Sequence, residues 1–84
     1  VNLPCETIEL EVSDSARADV EEWLGIEAVY KGVNGRYYAS AEMPLDDWLI
    51  SKLLGYGDRV RVLRPKRLID DLSHAANAIL KLYN

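Results

Sequence analysis

Few side chains in this sequence are of the types that do covalent or metal chemistry, and their spacing decides what they can do. His74 is the single histidine and Cys5 the single cysteine. A metal site needs several ligands, and this pair alone does not make one. His74 reads as a helix-surface residue. Asp46-Asp47 and Asp70-Asp71 are adjacent carboxylates, but neighbours on a helix point about 100° apart. They cannot converge on one proton, and they read as solvated charges and partners of the helix dipole. Gly32-Val33-Asn34-Gly35 lacks the Lys-Ser/Thr pair of a phosphate loop and leads into a strand, not a helix. No catalytic residue, metal ligand or cofactor is expected.

A second set of residues could bind. Tyr38 falls on the same face as Arg36 and Ser40, and near Arg59 and Arg61 of a later strand. An aromatic ring among arginines can stack a base or hold an anion. The same residues can equally form a solvated face whose arginines pair with Glu9 and Glu11. Arg17 opens the first helix nearby. Arg64, Lys66 and Arg67 cluster at a helix start, where positive charge opposes the dipole, which hints at a contact with another chain or domain. Trp23 and Trp48 lie on apolar helix stripes and read as core.

These residues must be carried by regular elements, and the pattern supplies them. Thr7 to Val12 alternates, with Ile8, Leu10 and Val12 on one face and Thr7, Glu9 and Glu11 on the other, the mark of a half-buried strand. Ser13-Asp14-Ser15 offers N-cap oxygens to a helix whose apolar positions are Ala16, Val20, Trp23 and Leu24, and Gly25 ends it. Two strand-like runs follow, 27–33 and 36–43, joined by Asn34-Gly35. That dipeptide predicts a tight hairpin with positive φ at both positions. Pro44 predicts the first helical position of a second helix, with Leu45, Trp48, Leu49 and Leu53 as its stripe. Gly55 or Gly57 closes that helix. Residues 58–63 alternate again, with Val60 and Val62 opposite Arg59 and Arg61. Pro65 opens a last helix with a broad stripe through Leu68, Leu72, Ala75, Ala76, Ile79, Leu82 and Tyr83, widened by Ile69 and Leu80.

The order β-α-β-β-α-β plus a C-terminal helix predicts an α+β, ferredoxin-like two-layer sandwich. Its four-stranded antiparallel sheet has strand order 4-1-3-2 and helices on one face. Arg59 and Arg61 would then face Glu9 and Glu11 across the open side of the sheet. The stripe through Ile69, Leu80 and Tyr83 is wider than one sheet needs, which marks it as an interaction surface.

With 84 residues the chain forms one domain, and 49% apolar with 29% charged residues is the composition of a folded globular domain. A net charge of −4 argues against broad nucleic-acid binding, which draws on a surplus of lysine and arginine. It leaves room for a local basic patch. No apolar run approaches the roughly 20 residues a membrane span requires, and no leader is apparent. One unpaired cysteine suits a reducing cytoplasm. A start at Val1 suggests a domain excised from a longer protein, with residues 1–5 the remnant of a linker.

The run Trp48-Leu49-Ile50, then Gly57-Asp58-Arg59-Val60-Arg61-Val62-Leu63-Arg64-Pro65 and Leu68, resembles the closing segment of WYL-domain transcriptional regulators. This is their C-terminal extension, often called WCX. An opening strand, a helix containing Ala16-Arg17 and a hairpin with an Asn-Gly turn fit the same pattern, so the resemblance spans nearly the whole chain. It implies a non-catalytic regulatory and dimerisation module of a bacterial, cytoplasmic regulator. DNA would be bound only by a separate helix-turn-helix domain. A WYL domain of the same or a partner chain would sense a ligand, in some members single-stranded nucleic acid, and this module would help frame that site. Neither the Trp-Tyr-Leu triplet nor a helix-turn-helix pattern is present here. Ligand or partner contact is expected at Arg17, Tyr38, Arg59 and Arg61, and a homodimer surface at Ile69, Leu80 and Tyr83. The alternative is a free-standing ferredoxin-like domain that senses a small molecule. It would call for a glycine-bearing loop after the first strand, where Ser13-Asp14-Ser15 stands. A small acylphosphatase-like hydrolase would need an asparagine on the strand at 36–43, which has none.

Overall fold

The alternating start of the chain forms the central strand of the domain. In the computed structural model, which describes residues 4–84, β1 (Cys5–Val12) pairs on both sides. Cys5 already lies in this strand, so only residues before it could serve as the expected linker, and residues 1–3 lie outside the described residues. β1 is followed by α1 (Arg17–Leu24), β2 (Val29–Lys31), β3 (Tyr37–Pro44), α2 (Asp47–Tyr56), β4 (Val60–Arg64) and α3 (Lys66–Leu82). The sheet is antiparallel, and from the β4 edge it reads β4-β1-β3-β2, the expected 4-1-3-2 order.

The inner face of the sheet contributes Ile8, Leu10, Val12 and Ala39 to the core. Ala16 and Val20 come from the α1 end, Leu49, Leu53 and Tyr56 from α2, and Leu68 from α3. Ala39 sits opposite Leu10 in the ladder, and its small side chain lets the helix layer approach the middle of the sheet. Leu49, Leu53 and Tyr56 recur at i, i+4 and i+7, so they share one face of α2.

Several elements differ from the sequence expectation, each for a local reason. Pro44 does not open α2; it ends β3, paired with Cys5. Asp46 takes over as N-cap because its Oδ1 accepts from the Leu49 N–H at 2.9 Å. Trp48 is not core. It stands one position, about 100°, off the buried stripe and is 60% exposed. Its ring lies 6.3 Å from Trp23, which is half-buried against the core. Ser13 and Ser15 give no side-chain cap to the first helix; their hydroxyls bond each other instead. Gly57, with φ of 63°, closes α2 while Gly55 remains inside it.

The hairpin also takes another form. Gly35 alone has positive φ, at 84°, and Asn34 does not. The Gly35 N–H donates to the Gly32 carbonyl at 3.0 Å, and the Gly32 N–H to the Arg36 carbonyl at 2.7 Å. This is a four-residue turn that ends on a left-handed glycine. Asn34 is used through its side chain: Oδ1 accepts from the Arg36 N–H at 3.0 Å and Nδ2 donates to the Tyr38 hydroxyl at 2.8 Å.

α3 is only half covered. Leu68 is buried and Leu72 packs against the core, but every residue from Ala76 onward is exposed. Among the described residues no helix is long and apolar enough to cross a membrane, and no group of three or more His, Cys, Asp and Glu could hold a metal ion.

Candidate functional site

The outer face of the sheet is built by the side chains that alternation turns away from the helices. Glu9 and Glu11 of β1 are half-buried in the middle of this face. Glu11 stands opposite Tyr38 of β3 on one side and Arg61 of β4 on the other. Its Oε2 accepts from Arg36 Nη1 at 2.8 Å, and its Oε1 lies 4.0 Å from Arg61 Nη1. The hydrogen bond and charge of Glu11 push Arg36 above the usual guanidinium range.

Glu9 does not face Arg59 or Arg61. The register shifts between Glu9 and Leu10, so β4 carries one extra residue, Leu63, between its partners Val62 and Arg64. That brings Arg64 beside Glu9, at 3.2 Å. The basic turn is also satisfied from within. Arg67 pairs with Glu6, and Lys66 with Asp70 at 2.9 Å, one helical turn along. The hint of an outside contact for Arg64, Lys66 and Arg67 is therefore replaced by three internal ion pairs.

Arg59 departs furthest from its expected place. The chain leaves Gly57 through a short 3-10 turn, Gly57–Arg59, and the strand starts only at Val60. The Arg59 carbonyl accepts from the Ser13 N–H at 2.9 Å, while its side chain is drawn back over the Tyr56 ring, 5.6 Å from the centroid. Its Nε donates to the Tyr56 carbonyl at 3.2 Å. Arg17 lies at the other side of the same edge. It sits 4.8 Å over the Tyr37 ring and donates to that hydroxyl at 3.0 Å.

Two adjoining hollows open on this edge. The larger, about 460 Å³, is lined by Glu11, Val12, Ser13, Asp14, Gly35, Arg36, Tyr37, Asp58, Arg59 and Arg61. The second shares Asp14, Gly35 and Tyr37 with it and adds Arg17 and Lys31. Five cations and three carboxylates (Glu11, Asp14 and Asp58) thus meet at one edge, a local surplus of two positive charges in a chain of net charge −4. Guanidinium forks gathered from the turn before β3, the turn before β4 and β4 itself suit an oxyanion with two or more acceptor oxygens.

Tyr38 is not part of this edge. It lines a separate hollow with Tyr30, Gly32, Val33, Asn34, Glu9 and Leu63. Its ring stacks on Tyr30 at 5.9 Å between centroids. Gly32 lies flush beneath it, since a Cβ there would fall 2.7 Å from the Tyr38 ring. The more open ring is Tyr30, half exposed, and Tyr38 has its stacking partner within the domain. Of the four sequence-predicted contact residues, then, Arg59 and Arg61 share one hollow, Arg17 adjoins it, and Tyr38 stands apart. Arg36, Lys31 and Tyr37 complete the edge. Arg36 was legible from the alternation of the expected strand run 36–43, although β3 itself starts one residue later, but Tyr37 belongs by alternation to the inner face and gave no such signal.

The expected dimer residues also divide. Ile69 is half-buried in the covered part of α3, while Leu80 and Tyr83 project from its outer half beside Ile79 and Leu82.

The family model of the WCX domain matches residues 5–80. The chain belongs to the WCX domain family. Over 73 residues this WCX domain is 30% identical to the uncharacterized HTH-type transcriptional regulator YobV of Bacillus subtilis (strain 168). The match covers 86% of the chain but only 23% of that protein, so the domain spans less than a quarter of its relative's length. No solved structure matches.

Proposed function

We propose that this WCX domain is the regulatory and dimerisation module of a bacterial, cytoplasmic WYL-type transcriptional regulator. In this reading DNA is bound by a separate helix-turn-helix domain. The arginine edge at Arg36, Arg59 and Arg61, with Arg17 beside it, helps a WYL domain frame an anionic effector, single-stranded nucleic acid being the class the family resemblance suggests. The outer half of α3 pairs two copies. The observation that carries the regulatory role is the family match over residues 5–80, supported by a relative whose name is that of an HTH-type transcriptional regulator. The local cation surplus in an acidic chain supports an anionic effector held at one edge, as opposed to general nucleic-acid binding.

The test of the architecture is the coding sequence immediately upstream. A WYL domain leading directly into residue 1 is the expected result. A stop codon there removes the reading and leaves a free-standing domain.

A further inference from the structure

The arginine edge already holds an anion of its own. Glu11 stands at the floor of the larger hollow, its side chain only 20% exposed, while those of Arg36 and Arg61 are 66% and 78% exposed. Its Oε2 bonds Arg36, in the turn just before β3, and its Oε1 lies 4.0 Å from Arg61 of β4, on the opposite side of β1. Two acceptor oxygens bridging two arginines is the arrangement a phosphodiester would adopt in the same place. Without Glu11, Arg36 and Arg61 would face one another across β1 with no charge between them. An arriving anion therefore gains only the difference between its own contacts and those that Glu11 gives up.

We infer that Glu11 is an internal competitor for the arginine pair, restricting the edge to polyanions that offer several phosphates at once. A monoanionic carboxylate merely replaces like with like and gains nothing. A phosphodiester chain can keep one phosphate on Arg59, whose guanidinium rests on the Tyr56 ring and pairs with no carboxylate among the described residues, while it displaces Glu11 from the other two. This inference rests on the proposed anionic effector and adds how the site selects it.

The test uses the 84-residue chain and a fluorescein-labelled oligothymidylate of about ten nucleotides, titrated by anisotropy at low salt. Glu11→Gln removes the charge and keeps the shape; Glu11→Thr keeps a strand-forming residue. Both should bind the probe about two- to fivefold more tightly than the parent chain. Glu9→Gln frees Arg64 outside this hollow and should change affinity less than about twofold. Unchanged or weaker binding by both Glu11 variants overturns the inference. If the parent chain binds and Arg36→Gln abolishes binding while the Glu11 variants match the parent, the effector site stands and the competitor role falls. If no variant binds, both fall. If the Glu11 variants bind and the parent does not, the competitor role stands. Circular dichroism checks the fold. Should Glu11→Gln not fold, Glu11→Thr decides, and loss of fold in both makes Glu11 a structural brace and overturns the inference.

Discussion

The double variant Leu80→Asp, Tyr83→Ser should abolish self-association while leaving the fold intact. In the single chain Ile79, Leu80, Leu82 and Tyr83 are 46%, 56%, 76% and 82% exposed, so roughly two-thirds of this apolar surface is left for a partner. Fully burying one such side chain is worth about 1.5–3 kcal/mol. Covering the exposed part in both copies of a symmetric pair gains on the order of 10 kcal/mol, against an association cost of roughly 4–15 kcal/mol. At the low end of that cost the isolated domain dimerises weakly, on the order of 10⁻⁴ M. The variant removes about half of the gain, on the order of 5 kcal/mol, and puts dimerisation beyond reach.

Sedimentation velocity between about 0.01 and 1 mM reads the result: a concentration-dependent shift for the parent chain and a monomer throughout for the variant. The melting temperature should not move, because no core residue lies beyond Leu68 and the outer half of α3 is exposed throughout. A second readout follows from helix physics. A segment of about eight residues is not helical alone, so the outer amides of α3 should exchange faster than those around Leu68 and slow down as the chain concentration rises. A parent chain that stays monomeric up to millimolar concentration refutes the reasoning, as does a variant that still dimerises.

Leu68→Ala should cost about 2–5 kcal/mol in urea unfolding, because the side chain is fully buried and is the one core residue α3 supplies; a loss below 1 kcal/mol would mean that α3 is not anchored there. Asp46→Ala removes the acceptor for the Leu49 N–H and should cost about 0.5–2 kcal/mol in the same assay, with Asp46→Asn recovering most of it. Gly32→Ala places a methyl group 2.7 Å from the Tyr38 ring and should cost about 1–3 kcal/mol, visible as a lowered melting temperature with altered near-UV tyrosine signal. Oligothymidylate binding through Arg36, Arg59 and Arg61 should show a slope of log K against log salt near −2, at about −0.7 per phosphate contact. A slope near zero, or steeper than about −4, rules out a three-contact edge.

Much of the fold follows from short-range pattern. The alternation of β1 separates Ile8, Leu10 and Val12 from Glu9 and Glu11, and the order of elements then fixes which strands meet. Two of the misplaced residues lie where two local signals compete. At Pro44 a helix-opening residue competes with an aspartate two positions later, and the aspartate's hydrogen bond to Leu49 decides the start. At Asn34 the left-handed turn competes with an asparagine side chain that can satisfy both the Arg36 N–H and the Tyr38 hydroxyl, and it remains at negative φ. The paired arginines fail for a different reason. A single extra residue at Leu63 moves Arg64 next to Glu9, and no periodicity of six residues can reveal a bulge. Trp48 shows the limit of composition: a large aromatic near an apolar stripe is core only if it is in phase, and it is one residue out.

The acidic balance of the chain and its arginine edge do not conflict once distances are considered. At physiological ionic strength charge acts over about 8 Å, so an anion at the larger hollow responds to the residues that line it and very little to the remaining carboxylates. Those carboxylates are themselves occupied in part: Glu6, Glu9 and Asp70 each hold one cation of the β4–α3 turn. That leaves Arg64, Lys66 and Arg67 neutralised where they stand and Lys52 resting over the Trp23 and Tyr56 rings. The cations still open to a ligand are therefore concentrated at the end of the sheet where β3 and β4 begin. Net repulsion elsewhere then works in the same direction, since a polyanion that slides off the edge meets a surface of its own sign. In the proposed reading, such a charge distribution favours a few neighbouring phosphates at this one end of the sheet and disfavours a strand laid along the flanks, which separates a module that helps frame an effector from a general DNA-binding surface.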